Sequence, residues 1–169
     1  RNRSRISLRR SAGLSCFGSR IEISMKLIVE LVPRTSWFEN LRSLLTPEQW
    51  DKLRRETYRK ALYRCEVCGG KGLKHPVECH EIWHYDDRKH RQTLTGLIAL
   101  CPNCHQCKHI GLAELQGKYE AAFKHLMKVN RWTKRQAEQH IEAAVEKWEE
   151  RNDFEWNVDI SLVKKGELP

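Results

Sequence analysis

Long apolar runs are absent from the sequence: no stretch approaches the roughly 18–20 consecutive apolar residues that a membrane-spanning helix needs. Internal repeats are absent as well. The chain of 169 residues is 40% apolar and 31% charged, which is the length and composition of one globular domain rather than of a disordered chain. These observations predict a soluble protein without a membrane partner.

Acidic residues are absent from the first 20 positions, although six arginines lie there. Without those six charges, the formal net charge of +9 falls to +3 for the rest of the chain. A uniformly cationic body is therefore not expected, and nucleic acid would have to be bound by local patches and by a metal ion. Residues 1–24 show no apolar periodicity, so we expect a disordered basic tail or an upstream extension there, with a phosphate-binding arm and a transit peptide as alternatives. The folded domain is expected at residues 25–169.

The seven cysteines are odd in number, and their spacing is that of a metal site and not of a disulfide framework. Two Cys-x2-Cys pairs, Cys65 with Cys68 and Cys101 with Cys104, are separated by 32 residues. Four thiolates can occupy the corners of a tetrahedron around a structural Zn²⁺ ion. We therefore expect a zinc site in a reducing compartment, which indicates a cytoplasmic protein. Cys107 is expected to be a packed free thiol, with replacement of a zinc ligand as the alternative.

A second group of metal-binding side chains accompanies the second cysteine pair. His105 and His109 are four residues apart, so a helix that begins after this pair would place both imidazoles on one face. His80 and Glu81 lie in a strand-like run, residues 77–83, that could approach the helix from the side. We expect His80, His105 and His109 to converge on one divalent ion, for which Mg²⁺, Mn²⁺, Ni²⁺ and Zn²⁺ are candidates.

Helices and strands are predicted on both sides of this region. Thr46 and Thr133 each begin a capping-box pattern, and apolar residues recur at helical spacing across residues 112–129. Residues 26–32 form a β-type run, and apolar residues alternate with polar ones across residues 154–162. We expect these last two segments to pair as strands, giving an α+β fold in which helices and a short terminal β-pair flank the zinc core.

Residues 65–109 resemble the zinc-stapled, four-cysteine branch of the HNH (His-Asn-His, ββα-metal) endonucleases. In that family the first Cys-x2-Cys pair precedes a strand with Asp-His or His-His, to which His80 and Glu81 correspond. The second element, Asn-Leu-x-x-Leu-Cys-x2-Cys-His-x3-His, corresponds to residues 96–109. The match covers about 45 of the 169 residues. The longer run of residues 26–162 also resembles a bacterial group within the HNH superfamily, which indicates no particular substrate.

The resemblance implies a ββα-metal core at about residues 65–110 and a metal-dependent DNA endonuclease that hydrolyses phosphodiester bonds at a single catalytic ion. The sequence departs from the family where the middle Asn falls on Gly96, which has no side chain. Thr95, Asn103 or a water molecule could take over the role of that Asn. Lys108, next to His109, is either a contact to the substrate phosphate or a solvated helix residue.

The general base depends on how the first strand is aligned with the family. If Ile82 marks the apolar position after the base, Glu81 is the base and His80 is a metal ligand. A shift by one residue makes His80 the base and places Cys79 at the ligand position. We favour the first alignment because it gives the ion a better-matched ligand. The alternative to an enzyme is a non-catalytic zinc module that binds nucleic acid or protein.

Overall fold

The computed structural model describes residues 27–166 and shows a mixed α+β architecture. The predicted tail at residues 1–24 lies outside the described residues. Within them, no helix is both long and apolar enough to cross a membrane. After a 3-10 helix at Arg34–Ser36, the elements in chain order are α1 (Leu41–Leu44), α2 (Pro47–Lys60), β1 (Glu78–Asp86), β2 (Arg91–Leu100), α3 (Pro102–Lys108), α4 (Ile110–Leu115), α5 (Tyr119–Asn130), α6 (Lys134–Asn152), β3 (Asn157–Asp159) and α7 (Ser161–Lys164).

The sheet is built on the antiparallel hairpin of β1 and β2, to which β3 adds in parallel beside β2. The hairpin register runs from Glu78 opposite Leu100 to Asp86 opposite Arg91. It shifts between Ile82 and Trp83, where β2 contributes one extra residue, as in a β-bulge. Because β3 lies beside β2, the described sheet leaves the other edge of β1 free for loops and helices to approach.

The predicted pairing of residues 26–32 with residues 154–162 is wrong. The described part of the first segment, residues 27–32, is not assigned to any strand. Its backbone instead bonds to side chains of the helices that it crosses, which leaves fewer groups for a sheet partner. These bonds join Leu27 N–H to Asn130 Oδ1 (2.8 Å), Val29 N–H to His140 Nε2 (2.9 Å) and Trp148 Nε1–H to Val32 O (2.9 Å).

Only the middle of the alternating C-terminal segment forms a strand. β3 pairs with the first residues of β2, and the following residues turn into α7. Trp156 and Ile160 are buried as the alternation predicted, whereas Phe154 is 47% exposed and stacks on His90. The apolar alternation therefore marks the burial of Trp156 and Ile160 correctly but does not identify the partner of the strand.

Helix starts follow the predicted capping boxes. At Thr46 and at Thr133 the side chain accepts the N3 backbone N–H, and the N3 glutamine side chain accepts the backbone N–H of the cap. The helix expected across residues 112–129 is split into α4 and α5. Gly117 lies between them with φ +68°, a left-handed conformation that ends a helix and favours glycine.

The main core lies where β2, α3, α5 and α6 meet the N-terminal segment. Leu27, Leu100 and Leu126 are completely buried in it, together with the thiol of Cys107. Burial of one such leucine side chain stabilises the folded state by about 1.5–3 kcal/mol relative to an exposed side chain. Since the same core contains Cys65, Cys101 and Cys104, the packing of the helices also fixes the positions of the cysteine ligands.

Candidate metal centres

The four predicted zinc ligands come together at one point. Cys65 and Cys68 lie in the turn after α2, Cys101 directly precedes α3, and Cys104 lies within α3. The four sulfurs all lie within 4.8 Å of one another, and those of Cys68 and Cys101 are 3.6 Å apart. Zn–S bonds of about 2.3 Å would separate tetrahedral sulfurs by about 3.8 Å. The prediction of this cluster is confirmed: the four cysteines are positioned to bind one metal ion, with zinc as the candidate.

A tight turn presents the first cysteine pair. The N–H of Cys65 bonds to the carbonyl of Gly70 (2.9 Å), and the N–H of Gly69 bonds to the carbonyl of Cys65 (2.8 Å). Gly69 has φ +71°, which a residue with a side chain rarely adopts. The N–H of Gly70 points to the sulfur of Cys68 at 3.4 Å. The two glycines thus turn the chain so that a backbone donor faces a ligand sulfur.

The contact between two of the sulfurs favours the thiolate form of Cys65 and the thiol form of Cys104. A hydrogen bond from the thiol of Cys104 lowers the pKa of Cys65 to about 4 and raises the pKa of Cys104 itself. Burial raises the pKa of Cys68 to about 11. His125 Nε2 lies 3.2 Å from the sulfur of Cys104, on the α5 side of the cluster. A thiolate is the form in which cysteine binds a metal ion.

The three predicted histidines form a second cluster. One ring nitrogen each of His80, His105 and His109 lies within 4.8 Å of the others. Their ring centroids are 4.8–5.2 Å apart, with each pair of rings edge to face. His109 follows the last residue of α3, yet its N–H still bonds to the carbonyl of His105 at 3.3 Å. The expected four-residue spacing therefore brings both imidazoles to one side although the helix ends between them.

His80 is the buried member of this cluster. It is 5% exposed, and neither ring nitrogen has a hydrogen-bond partner among the described residues. Glu30 Oε2 lies 3.5 Å from His80 Nε2, within reach of an ion pair but outside hydrogen-bond geometry. Burying polar atoms without partners is costly. The two nitrogens therefore have an unsatisfied capacity for a hydrogen bond or a ligand bond.

His105 is oriented by a carboxylate that the sequence did not indicate as a site residue. Its Nδ1 contacts Glu78 Oε2, and the other oxygen of Glu78 contacts His75. Burial raises the pKa of Glu78, but the hydrogen bond from His75 and the contact with His105 lower it overall. An ionised carboxylate only accepts, so Nδ1 carries the proton and Nε2 presents its lone pair. Glu78 is two residues before His80 on β1, and this same-face spacing is the signal that could have identified it.

The imidazoles of His105 and His109 are neutral near pH 7. Burial, followed by the nearby His80, lowers the pKa of His105. Burial, followed by His80 and His105, lowers the pKa of His109 to about 3. A neutral imidazole is the form that binds a metal ion.

Lys108 lies in the protein interior, contrary to its interpretation as a solvated helix residue. It is 8% exposed, and its Nζ donates to Glu30 Oε2 at 2.9 Å. The lysine does not line the cleft that contains the histidines. Its ammonium group therefore contacts a carboxylate in this structure, and the predicted phosphate contact would require that ion pair to open.

The histidine cluster opens into a cleft of about 400 Å³. Glu81 lines the same cleft, and its Oε1 accepts a hydrogen bond from the N–H of Leu41 at 3.2 Å. Trp37, which is 46% exposed, and Leu112, which is 42% exposed, also line it. A carboxylate, three imidazoles and exposed apolar side chains therefore share one accessible space.

Thr95 ties the hairpin beside the position of the family's middle Asn. Its Oγ1 donates to the carbonyl of Ile82 at 2.9 Å, at the place where the register shifts. Gly96 lies opposite Ile82, and a Cβ added there would meet Ile82 Cδ1 at 3.6 Å, an ordinary van der Waals distance. Asn103 is exposed. Of the two residues expected to replace the family's Asn, Thr95 is thus the one that bonds β2 to β1.

The two remaining cysteines near the clusters are buried outside them. Cys107 donates to the carbonyl of Ala122 at 3.2 Å, so its prediction as a packed free thiol is confirmed. Burial raises the pKa of Cys107 to about 12. Cys79 is buried next to His80 in sequence, but His80 and not Cys79 belongs to the histidine cluster.

Known protein families, curated proteins and solved structures offer no match to this chain. The chemistry of the protein is therefore inferred from two ligand clusters, one of sulfur and one of imidazole nitrogen. Both ligand types suit ions such as Zn²⁺, and imidazole also suits Ni²⁺. The short helix α3 supplies a ligand to each cluster, Cys104 to the first and His105 to the second.

Proposed function

We propose that the protein is a metal-dependent DNA endonuclease of the HNH type, in which β1, β2 and α3 form a ββα-metal core. The observation that carries the proposal is the convergence of His80, His105 and His109 in the cleft that also contains Glu81. A purely structural zinc module needs only the four cysteines. Three further imidazoles at an open cleft are the donor set of a second, exchangeable ion.

The four cysteines fit a structural zinc ion. All four positions of a tetrahedral ion would be filled by thiolates, which leaves none for a substrate or a reacting water. The ion would join the turn after α2 to the start of α3, two segments that are distant in the sequence. Its role is therefore to stabilise the fold.

The three histidines fit a divalent ion of the Mn²⁺, Ni²⁺ or Zn²⁺ type better than Mg²⁺, which prefers oxygen donors. The fit rests on the unpartnered ring nitrogens of His80 and on the contact from Glu78 that turns Nε2 of His105 away from the carboxylate. When bound, such an ion supplies Lewis-acid stabilisation of charge on the scissile phosphate and on the leaving oxygen. Neutral imidazoles leave the charge of that ion undiluted.

Glu81 is the residue that we assign as the general base. His80 belongs to the histidine cluster, which supports the family alignment that makes His80 a metal ligand and Glu81 the group that receives the proton. The N–H of Leu41 holds one oxygen of Glu81, which leaves the other for a water molecule. Glu81 takes a proton from this water, the water oxygen bonds to phosphorus, and the bond from phosphorus to the 3′ oxygen breaks. The leaving oxygen is then protonated by solvent.

The second candidate function is a non-catalytic zinc module that binds nucleic acid or protein. Two observations favour it: Gly96 offers no side chain at the position of the family's Asn, and Lys108 is engaged by Glu30. Against it stands the histidine cluster, because neither the four-cysteine zinc site nor packing requires two further imidazoles beside the buried His80.

Metal-dependent nicking of supercoiled plasmid tests the proposal. Protein that retains its tightly bound metal is freed of exchangeable ions and then assayed with added Mn²⁺, Ni²⁺, Zn²⁺ or Mg²⁺. We expect the wild type to nick plasmid with at least one ion, and His105→Ala to lose at least about 10²-fold in rate. His84→Ala is the matched control, since His84 is an exposed histidine of β1 outside the cluster. Equal nicking by His105→Ala, or none by the wild type with any ion, would contradict the proposal.

A further inference from the structure

Glu30 enters the histidine site from a part of the chain that carries no recognisable motif. It lies on the extended segment that precedes the 3-10 helix, and its N–H bonds to the carbonyl of Lys108 at 3.3 Å. Its neighbours Leu27 and Val29 are buried in the core. Side chains alternate along an extended chain, so Glu30 is turned away from the side occupied by Val29. The cleft that contains the three histidines is lined in part by Glu30.

The carboxylate of Glu30 lies between two groups of the site. Its Oε2 is 2.9 Å from Lys108 Nζ and 3.5 Å from His80 Nε2. All three side chains are largely buried, with exposed fractions of 19% for Glu30, 10% for Lys108 and 6% for His80. The ion pair with Lys108 makes Glu30 a buried carboxylate with a charged partner, and the same oxygen faces a histidine of the cluster.

We infer that Glu30 is a positioning residue of the exchangeable metal site, in which its carboxylate accepts the Nε2–H of His80 and leaves the other ring nitrogen for the ion. A carboxylate behind a ligating histidine fixes its tautomer and ring orientation and increases its basicity. Glu78 contacts His105 in the same manner. The inference rests on the proposed function, because it assigns a role within the second ion site.

Glu30 acts through His80 rather than as a ligand of its own. Among the described residues, the group that could share this ion consists of the three histidines and contains no carboxylate. The bond from Lys108 also holds the Glu30 oxygen that faces His80. Because Lys108 balances its charge, Glu30 orients the imidazole without adding a net negative charge to the site.

Cobalt binding measures this role without reference to cleavage. The full chain with zinc in the cysteine site is titrated with Co²⁺, and the visible d–d absorption of the second ion is followed. Thiolate-to-cobalt charge transfer would report any entry of Co²⁺ into the cysteine site. We expect Glu30→Gln to weaken Co²⁺ binding by about 10–100-fold. Glu39→Gln is the matched control, since Glu39 is an exposed carboxylate of the same cleft that belongs to neither metal cluster. We expect it to bind Co²⁺ as the wild type does.

A double variant separates positioning from charge balance. Glu30→Gln leaves the ammonium group of Lys108 buried without its partner, which destabilises the fold. Glu30→Gln combined with Lys108→Met removes both charges, and we expect the melting temperature to recover. If Glu30 positions His80, Co²⁺ affinity stays reduced by about 10–100-fold in the double variant.

The outcomes of these titrations are distinct. Wild-type Co²⁺ affinity in the double variant would show that Glu30 serves only to neutralise Lys108, and would overturn the inference. Wild-type affinity in Glu30→Gln would overturn it as well. Failure of the zinc-loaded wild type to bind Co²⁺ would instead refute the proposed function on which the inference rests.

Discussion

Cys104 and His105 are consecutive residues of α3, yet their side chains belong to different ligand clusters. The sulfur of Cys104 joins the four cysteines, and the imidazole of His105 joins the three histidines. Successive residues of a helix are about 100° apart around its axis, so one short helix can face both clusters. A shift of α3 would therefore move a side chain of both clusters.

Loss of a cysteine ligand is expected to disrupt both sites. In Cys101→Ser the tight ion is lost, and the domain should unfold cooperatively, because binding of a structural zinc ion is coupled to folding. Circular dichroism and the metal content of the purified protein measure this. Cys107→Ala is the control, since Cys107 is a buried cysteine of the same helix outside the cluster. It should lose some stability but keep one tightly bound ion. Full native dichroism in metal-free Cys101→Ser would contradict the structural role of the ion.

The roles of Glu81 and His80 are separated by metal titration. Glu81→Gln should keep the fold and the second ion but lose about 10²–10⁴-fold in cleavage rate, as removal of a general base does. His80→Ala should weaken ion binding, so that a higher metal concentration restores part of the rate. If His80 is the base, His80→Ala stays inactive at every metal concentration and Glu81→Gln is mild. Equal activity of both variants and the wild type would exclude both residues from catalysis.

The folded protein should become less stable as the pH drops below about 6.5, the ordinary pKa of a histidine side chain. The pKa of His109 in the folded protein is about 3, so between these two values the unfolded chain binds a proton that the folded protein does not. One such group lowers the free energy of unfolding by about 1.4 kcal/mol per pH unit within that window, and has no effect above it. Urea denaturation at several pH values without an added exchangeable ion measures the slope. His109→Gln should reduce this slope, whereas the exposed control His84→Gln should not. Equal slopes in wild type and His109→Gln would contradict the buried, neutral state of His109.

Thr95 should matter more than its exposure suggests. Thr95→Val keeps the shape of the side chain but removes the hydroxyl that donates to the carbonyl of Ile82. We expect a loss of about 1 kcal/mol in stability, the usual net value of one hydrogen bond, together with weaker binding of the second ion. Asn103→Ala, a change at an exposed residue, serves as the control. If the two variants behave alike in denaturation and Co²⁺ titration, the bond from Thr95 does not support the site.

Gly96 provides a complementary change. A Cβ at this position meets Ile82 Cδ1 at 3.6 Å, so a side chain can be added without a steric clash at that atom. We expect Gly96→Ala and Gly96→Asn to fold with melting temperatures close to that of the wild type. If the Asn of the HNH family supports the hairpin directly, plasmid nicking should increase in Gly96→Asn but not in Gly96→Ala. An unfolded Gly96→Ala would show that the hairpin needs glycine there.

Features that depend on short spacings were predictable from the sequence. The capping boxes at Thr46 and Thr133 start helices where expected, because cap and N3 residues contact each other within one turn. The Cys-x2-Cys pairs form one cluster because two residues of that spacing can face a common ion. The four-residue spacing of His105 and His109 brings their imidazoles together for a similar reason.

Partners that are distant in the chain were decided only by the tertiary structure. The β-type run at residues 27–32 pairs with no strand of the described residues. Asn130, His140 and Trp148 bond to it from helices more than 100 residues away, and the N–H of Glu30 bonds to the carbonyl of Lys108. β3 pairs with β2 because packing places Trp156 and Ile160 in the core at that end of the hairpin. Local preference determines whether a segment is extended, but the choice of partner depends on which groups remain unpaired after the helices pack.

The histidine site shows the same division. The sequence by itself predicted that the three imidazoles converge and that Glu81 lies beside them, because the strand and helix spacing around the cysteine pairs indicates both. Only the tertiary structure decided that Glu78 contacts His105 and that Glu30 lies between Lys108 and His80. A buried charge must find a partner wherever the fold places one, whatever the distance along the chain. The pairing of Glu30 therefore leaves no pattern of fixed spacing in the sequence, whereas Glu78 shares one face of β1 with His80.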